Sequence, residues 1–182
     1  GIPTGYEIKI LSSDDQELPV GSPGEVCISG QNLFIGYDQN PDANTKSFIG
    51  EFFRTGDEGY LDEDGYLFLT GRLKELINKG GEKIAPREIE EIVLAIDGID
   101  QAAAFSIPHP ELGEDVGLII VPKSDNKPDI QEIRRLLLHH LAPFKVPSRI
   151  WVRDEIPKGP TGKVRRREIA GIIESEASKD LN

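Results

Sequence analysis

Apolar positions follow two different periods along this chain of 182 residues. In the first third they alternate. "YEIKILS", "GEVCISG" and "GYLFLTG" are short and rich in β-branched and aromatic residues, which predicts half-buried strands. Turn formers separate them at Ser12–Asp15, Pro19–Pro23, Asp38–Asn44 and Asp62–Gly65. "DEDGY" is an Asp-Gly turn signal of the kind that joins antiparallel strands. A small antiparallel sheet or open barrel follows for residues 1–70.

Beyond residue 75 the period changes. "APREIEEIVLAID" places Ile89, Ile92, Val93 and Ile96 on one helix face, with Pro86 at a permitted first-turn position. "QAAAFSIP", "GLIIVP" and "RIWV" read as strands. "DIQEIRRLLLHHLA" reads as a helix capped by Asp129, with Ile130, Ile133, Leu137 and Leu141 on one side. "TGKVRRREIAGII" starts as a glycine-containing loop and becomes a helix, and residues 174–182 read as a frayed tail. The fold class expected is α+β: a small antiparallel β-barrel-like subdomain followed by a mixed α/β domain over about 75–172, with no internal repeat.

Composition narrows the function classes. The chain is 37% hydrophobic and 29% charged, ordinary for a globular protein, and its net charge is −11. An acidic chain does not suit nucleic acid or an anionic membrane as partner. The charge is uneven: residues 1–74 hold 13 acids and 5 bases, whereas Lys158–Glu168 holds five bases and one acid. That basic stretch is either a solvated face or a meeting place for an anion. The one cysteine, Cys27, has no disulfide partner and lies in a strand-like run, where it reads as a small core residue. No apolar run reaches membrane-span length and no signal-peptide pattern is present, so a cytoplasmic location is expected. The chain has no methionine; Gly1 is therefore no translation start, and a processed chain or a piece of a longer one is expected.

Candidate chemistry gathers between Arg54 and Ile84, in "RTGDEGYLDEDGYLFLTGRLKELINKGGEKI". Asp57 in "FFRTGDEGY" is either a turn residue bonding its own backbone or a carboxylate able to accept both hydroxyls of a ribose. Arg72 and Lys74 follow a strand, either as exposed cations or, for Arg72, as a planar donor to ribose or phosphate. Gly80–Gly81 is either a plain hairpin turn or a point of close ligand approach, and Lys83 meets either phosphate or solvent. Lys163 stands in the loop "PKGPTGK", where a mobile ammonium can stabilise a reacting phosphoryl oxygen or simply be solvated. The spacing there does not fit a phosphate-binding P-loop. His109 lies between prolines in a loop, and His139 and His140 lie on a helix. None has cysteine or carboxylate partners at metal-ligand spacing, so no metal site is expected.

The order of these motifs carries more than any one of them. "GEVCISGQNLFIGYDQNP", "FFRTGDEGYLDEDGYLFLTGRLKELINKGGEKIAPREIE", "LAPFKVP" and "PKGPTGKVRRRE" together resemble the C-terminal third of the adenylate-forming superfamily. That superfamily includes acyl- and aryl-CoA synthetases, luciferases and the adenylation domains of peptide synthetases. The resemblance implies a two-step ligase: ATP and a carboxylic acid give an acyl-adenylate and pyrophosphate, then a thiol, usually that of CoA, displaces AMP. It also implies that Asp57 and Arg72 hold the ribose, Lys83 lies near a phosphate, and Lys74 is the hinge. Gly80 and Gly81 would line the pantetheine tunnel, and Lys163 would be the catalytic lysine bridging substrate carboxylate and α-phosphate. Many relatives carry a lysine where Asn78 stands, and here the lysine is next door at Lys79.

On the same resemblance, 1–70 is the last β-subdomain of a large AMP-binding domain, 71–75 the hinge, 76–173 a mobile lid and 174–182 a tail. Most of the ATP site, with its Mg, and the acid pocket would lie in a preceding N-terminal domain, leaving this piece inactive alone. "GRLKELINKGGEKIAPREIE" is similar to the branches containing oxalate, aryl-acid and medium-chain acid ligases. Two rivals remain: an adenylation enzyme loading a carrier-protein phosphopantetheine, and a non-catalytic lid or interaction module acting in trans. The ending "KDLN" is not a peroxisomal signal.

Overall fold

The computed structural model describes residues 1–123, 128–159, 162 and 164–179. Contacts divide the chain into two units, Gly1–Lys74 and Glu75–Asn182.

The first unit is a five-stranded antiparallel sheet. Its strands are β1 (Glu7–Leu11), β2 (Gly24–Ser29), β3 (Phe48–Ile49), β4 (Phe52–Leu61) and β5 (Leu67–Arg72). The order is β1-β2-β4, with β3 and β5 pairing successive parts of β4. The register shifts between Glu25 and Cys27 and between Glu58 and Gly59. Such bulges increase local twist and curl a sheet. Gly59 is required at the second of them, because a Cβ there would stand 2.5 Å from the carbonyl oxygen of Phe68. Leu11, Cys27 and Phe52 form the buried centre. Phe34, Tyr37, Phe48 and Phe53 add a chain of edge-to-face and tilted ring contacts, with centroids 5.0–5.6 Å apart.

Two local expectations change here. The segment Asp38–Asn44 is not all turn: helix α1 (Pro41–Ser47) begins inside it, capped by Asn40, whose Oδ1 accepts from the Ala43 amide at 3.1 Å. Asp57 is not in a turn either but inside the ten-residue strand β4. The interrupting glycines hid this strand from the alternation pattern. The Asp-Gly turn forms as expected, with Asp62 Oδ1 accepting from the amides of Asp64 and Tyr66.

The second unit is three-layered. Its sheet contains β6 (Ile77–Lys79), β7 (Glu82–Ile84), β8 (Ile99–His109), β9 (Gly113–Pro122) and β10 (Arg149–Val152). The long β8–β9 hairpin is antiparallel, and β10 joins β9 in parallel. Helices α2 (Pro86–Leu94) and α3 (Ile130–His140) cover one face, where Ile89, Val93, Ile133 and Leu137 pack on Ala104, Val116, Leu118 and Ile120. Helix α4 (Arg166–Lys179) covers the other, where Ile169 and Ile173 pack on Ala103, Phe105, Ile119 and Val121. Successive residues of β8 and β9 thus enter opposite cores, which is why "GLIIVP" is continuously apolar rather than alternating. The expected tail is helical as far as Lys179, and His109 ends β8 instead of lying in a loop. The α+β expectation, with curled antiparallel sheets and a mixed second unit, holds. Among the described residues no helix is long and apolar enough to cross a membrane.

Candidate functional site

In the first unit, β4 and β5 place Asp57 directly opposite Arg72. The Arg72 Nε lies 2.8 Å from Asp57 Oδ1. The arginine side chain is 62% exposed and the carboxylate 25%, so both reach solvent. The Asp57 amide donates to Thr55 Oγ1 at 3.0 Å, and Thr55 Oγ1 donates to the Val26 carbonyl at 2.7 Å. This fixes the strand under the carboxylate. An acceptor with two oxygens beside a planar donor is a suitable surface for a ribose diol. Nearby, Arg54 is held by Asp15 and, at 2.6 Å, by Glu25, and its hydrogen bonds to these partners, Asp15 first, raise its pKa. It therefore has a structural task of its own. Burial, chiefly, and Glu25 push the Cys27 thiol up to about 11, so the cysteine is inert at neutral pH. Lys74 lies in a 3-10 turn, Leu73–Glu75, at the end of this unit.

In the second unit, Gly80 and Gly81 form the turn between β6 and β7, at φ of +61° and +98°. Residues with a Cβ avoid this left-handed region. Asn78 stabilises the turn by accepting the Gly81 amide at 3.1 Å, and it stands opposite Lys83, which is exposed. Lys79 points elsewhere. Its Nζ lies 2.6 Å from Asp115 Oδ1, and both side chains are largely buried. Burial alone would raise the Asp115 carboxyl. Hydrogen bonds from Lys79, the Val116 amide and Ser148 overcome it and hold the group below the usual range. Lys79 is therefore not a free cation displaced by one position.

Lys163 lies outside the described residues, as do Pro160 and Thr161 of the same loop. Lys158 and Val164 form an isolated antiparallel bridge, and the Gly162 amide donates to Gly159 O at 2.9 Å. Arg166, at the start of α4, closes the segment. Its Nη2 meets both carboxylate oxygens of Glu90 at 2.9 Å, and its Nη1 meets Glu75 at 2.7 Å. Glu90 is 8% exposed and also accepts the Ala104 amide at 2.8 Å. Arg165 pairs with Glu168. The basic run from Lys158 is thus partly neutralised by the chain's own acids.

Sequence reasoning missed the Lys79–Asp115 and Glu75–Arg166–Glu90 pairs. No local signal marked them: Glu90 lies off the Ile89–Ile92–Val93–Ile96 stripe, and Asp115 precedes the run "GLIIVP" that reads as a strand.

Residues 88–163 match the AMP-binding enzyme C-terminal domain family. The chain carries an AMP-binding enzyme C-terminal domain. Over 172 residues it is 46% identical to an oxalate–CoA ligase of Saccharomyces cerevisiae, covering 93% of this chain and 32% of the relative. An oxalate–CoA ligase of Arabidopsis thaliana is 41% identical with the same 93% of this chain and 33% of the relative. The ATP-bound structure of MatB from Rhodopseudomonas palustris superposes with a TM-score of 0.84 at 31% identity, over 93% of this chain and 35% of that one. The chain spans about a third of the length of the curated relatives it matches.

Proposed function

We propose that this chain works as the C-terminal part of an ATP-dependent acid–CoA ligase that forms an acyl-adenylate and then a thioester. The observation that carries the reading is the cross-strand Asp57–Arg72 pair, at 2.8 Å and open to solvent, in a chain carrying an AMP-binding C-terminal domain. Asp57 accepts the ribose hydroxyls and Arg72 donates beside them. Lys74 is the hinge within 71–75. The unit after it is the lid, and Lys83 lies near a phosphate. In the first half-reaction Lys163 bridges the acid and the α-phosphate, where an ammionium in a closed site stabilises spread negative charge. In the second half, Gly80 and Gly81 line the path of the pantetheine thiol. ATP with Mg and the carboxylic acid are held mainly by the portion that precedes this segment in its relatives. Oxalate is the first acid to try, because two relatives are named oxalate–CoA ligases.

The test separates the halves. In the protein running the length of these relatives, Lys163→Ala should cut acid-dependent ATP–pyrophosphate exchange by about 100-fold or more. Thioester formation from supplied acyl-adenylate should be retained. Normal exchange by Lys163→Ala would refute the assignment. Exchange with no acid in a panel of oxalate, aryl and fatty acids would refute the ligase reading. Transfer to carrier-protein phosphopantetheine in preference to CoA would move the acceptor, not the chemistry.

A further inference from the structure

The β6–β7 hairpin has three residues in each strand. A hairpin this short is not stable by itself. Its base is fixed by Ile77 and Ile84, both essentially buried in the core under α2 and α3. Its tip is fixed differently. One ladder pair, Lys79 with Gly113, joins it to β9. Three polar contacts follow, all to residues 112–115. The Gly80 amide donates to Leu112 O at 3.0 Å. The Asn78 amide donates to Glu114 Oε2 at 2.7 Å, and Lys79 Nζ reaches Asp115 Oδ1 at 2.6 Å.

Only the third of these contacts is buried at both ends. Asp115 is 6% exposed, at the start of a β9 that is otherwise apolar inside. A buried carboxylate in such a strand is costly unless it is paired. The partner it has is the residue immediately before the Gly80–Gly81 turn. Both glycines sit in a backbone region where the chain has most freedom, so the turn needs an external anchor to hold one height.

We propose that the Lys79–Asp115 pair is a positioning device for the thiol-transfer step, holding the Gly80–Gly81 turn where a pantetheine arm passes. The proposal rests on the reading of that hairpin given above. Because the apolar base does not depend on the pair, breaking it loosens the tip while the unit stays folded. The adenylation half is assigned to Asp57, Arg72, Lys163 and Lys83; of these only Lys83 is on the hairpin, and it pairs with Asn78 next to the buried Ile77–Ile84 base rather than in the turn.

The experiment uses the protein running the length of the relatives, with an acid that supports exchange. Asp115→Asn and Lys79→Met should each raise the KM for CoA about tenfold and leave ATP–pyrophosphate exchange within about twofold. Lys79→Arg, which keeps the charge, should recover most of the loss. Hydrogen exchange should quicken at the amides of residues 78–82 while β8 and β9 stay protected. Gly81→Val serves as the check on the hairpin reading, since it places a side chain in the proposed path. If Gly81→Val leaves the KM for CoA unchanged, the hairpin reading fails. If Gly81→Val raises it and Asp115→Asn does not, the positioning proposal alone fails. If Asp115→Asn lowers exchange and transfer equally, the pair is general structural support and the proposal is overturned.

Discussion

Arg166 offers the sharpest test of how the second unit is held together. Arg166→Ala removes a guanidinium that meets both oxygens of Glu90 and one of Glu75. The Glu75 side chain is 38% exposed, so that contact is worth at most about 1 kcal/mol. Glu90 decides the magnitude. At 8% exposure its charge is left uncompensated, and breaking a buried pair costs about 3–5 kcal/mol. Glu90 retains the Ala104 amide, and a cation at the start of α4 opposes the helix dipole by about 0.5 kcal/mol. Both place the loss at the low end, about 3 kcal/mol. For a unit of this size that is a fall in Tm of about 12 °C. The assay is built in, because the only tryptophan, Trp151, packs on Phe105 at 5.6 Å inside the second unit. Its fluorescence therefore follows unfolding of that unit. The double substitution Arg166→Met with Glu90→Met should recover most of the stability, since an apolar pair of similar volume replaces the ions. A loss under about 1 kcal/mol for Arg166→Ala, or a double variant no better than the single, would refute this account.

Three further outcomes follow from the same structure. The Asp115 carboxyl is held below its usual range, so its contribution to stability is present at neutral pH and is lost as pH falls from about 4 through the lower folded value; urea titrations between pH 2 and 6 should show a shallower acid loss in Asp115→Asn than in the parent. Cys27, buried and raised to about 11, should resist iodoacetamide at pH 8 in the folded chain and react promptly in denaturant, as mass spectrometry would record. Gly59→Ala, which sets a methyl 2.5 Å from the Phe68 carbonyl, should destabilise the first unit by about 1–3 kcal/mol, measured by circular-dichroism melting.

The periods of apolar residues were sufficient for most of the fold. Helices α2 and α3 and strands β1, β2, β8, β9 and β10 stand where those periods put them, because each packs apolar side chains that the pattern marks; β5 forms at its expected place although none of its residues is buried and Phe68 and Leu69 are exposed. Strand β4 was hidden because Gly56 and Gly59 interrupt it; one takes a positive φ and the other a close backbone approach. Helix α1 was hidden because it has no buried residue, so it has no apolar stripe to betray it and only its Asn-Pro start remains. Motif order drew Asp57 and Arg72 together, and the register between β4 and β5 supplies a physical reason for their spacing. Long-range ion pairs were beyond reach. Nothing local to Glu90 names a partner 76 positions away.

Those ion pairs also say what the second unit is built to hold. Apolar burial is non-directional, and it accounts for why α2, α3 and α4 cover the sheet. It does not fix where α4 begins or how high the β6–β7 turn stands. A buried ion pair is seldom more stable than an apolar pair of the same volume, so stability gives little reason for Glu90, Arg166, Lys79 and Asp115 to be charged. Orientation does. A bidentate guanidinium–carboxylate contact has a defined geometry, and Arg166 applies it where the Lys158–Arg165 segment ends. Lys79 applies its single contact one residue before the glycine turn. Both devices lie beside segments to which the proposed function assigns work, one to adenylation and one to thiol transfer. On this argument, replacing the first pair with apolar residues should restore Tm without restoring pyrophosphate exchange. If exchange returned together with Tm, the charges would be serving stability after all.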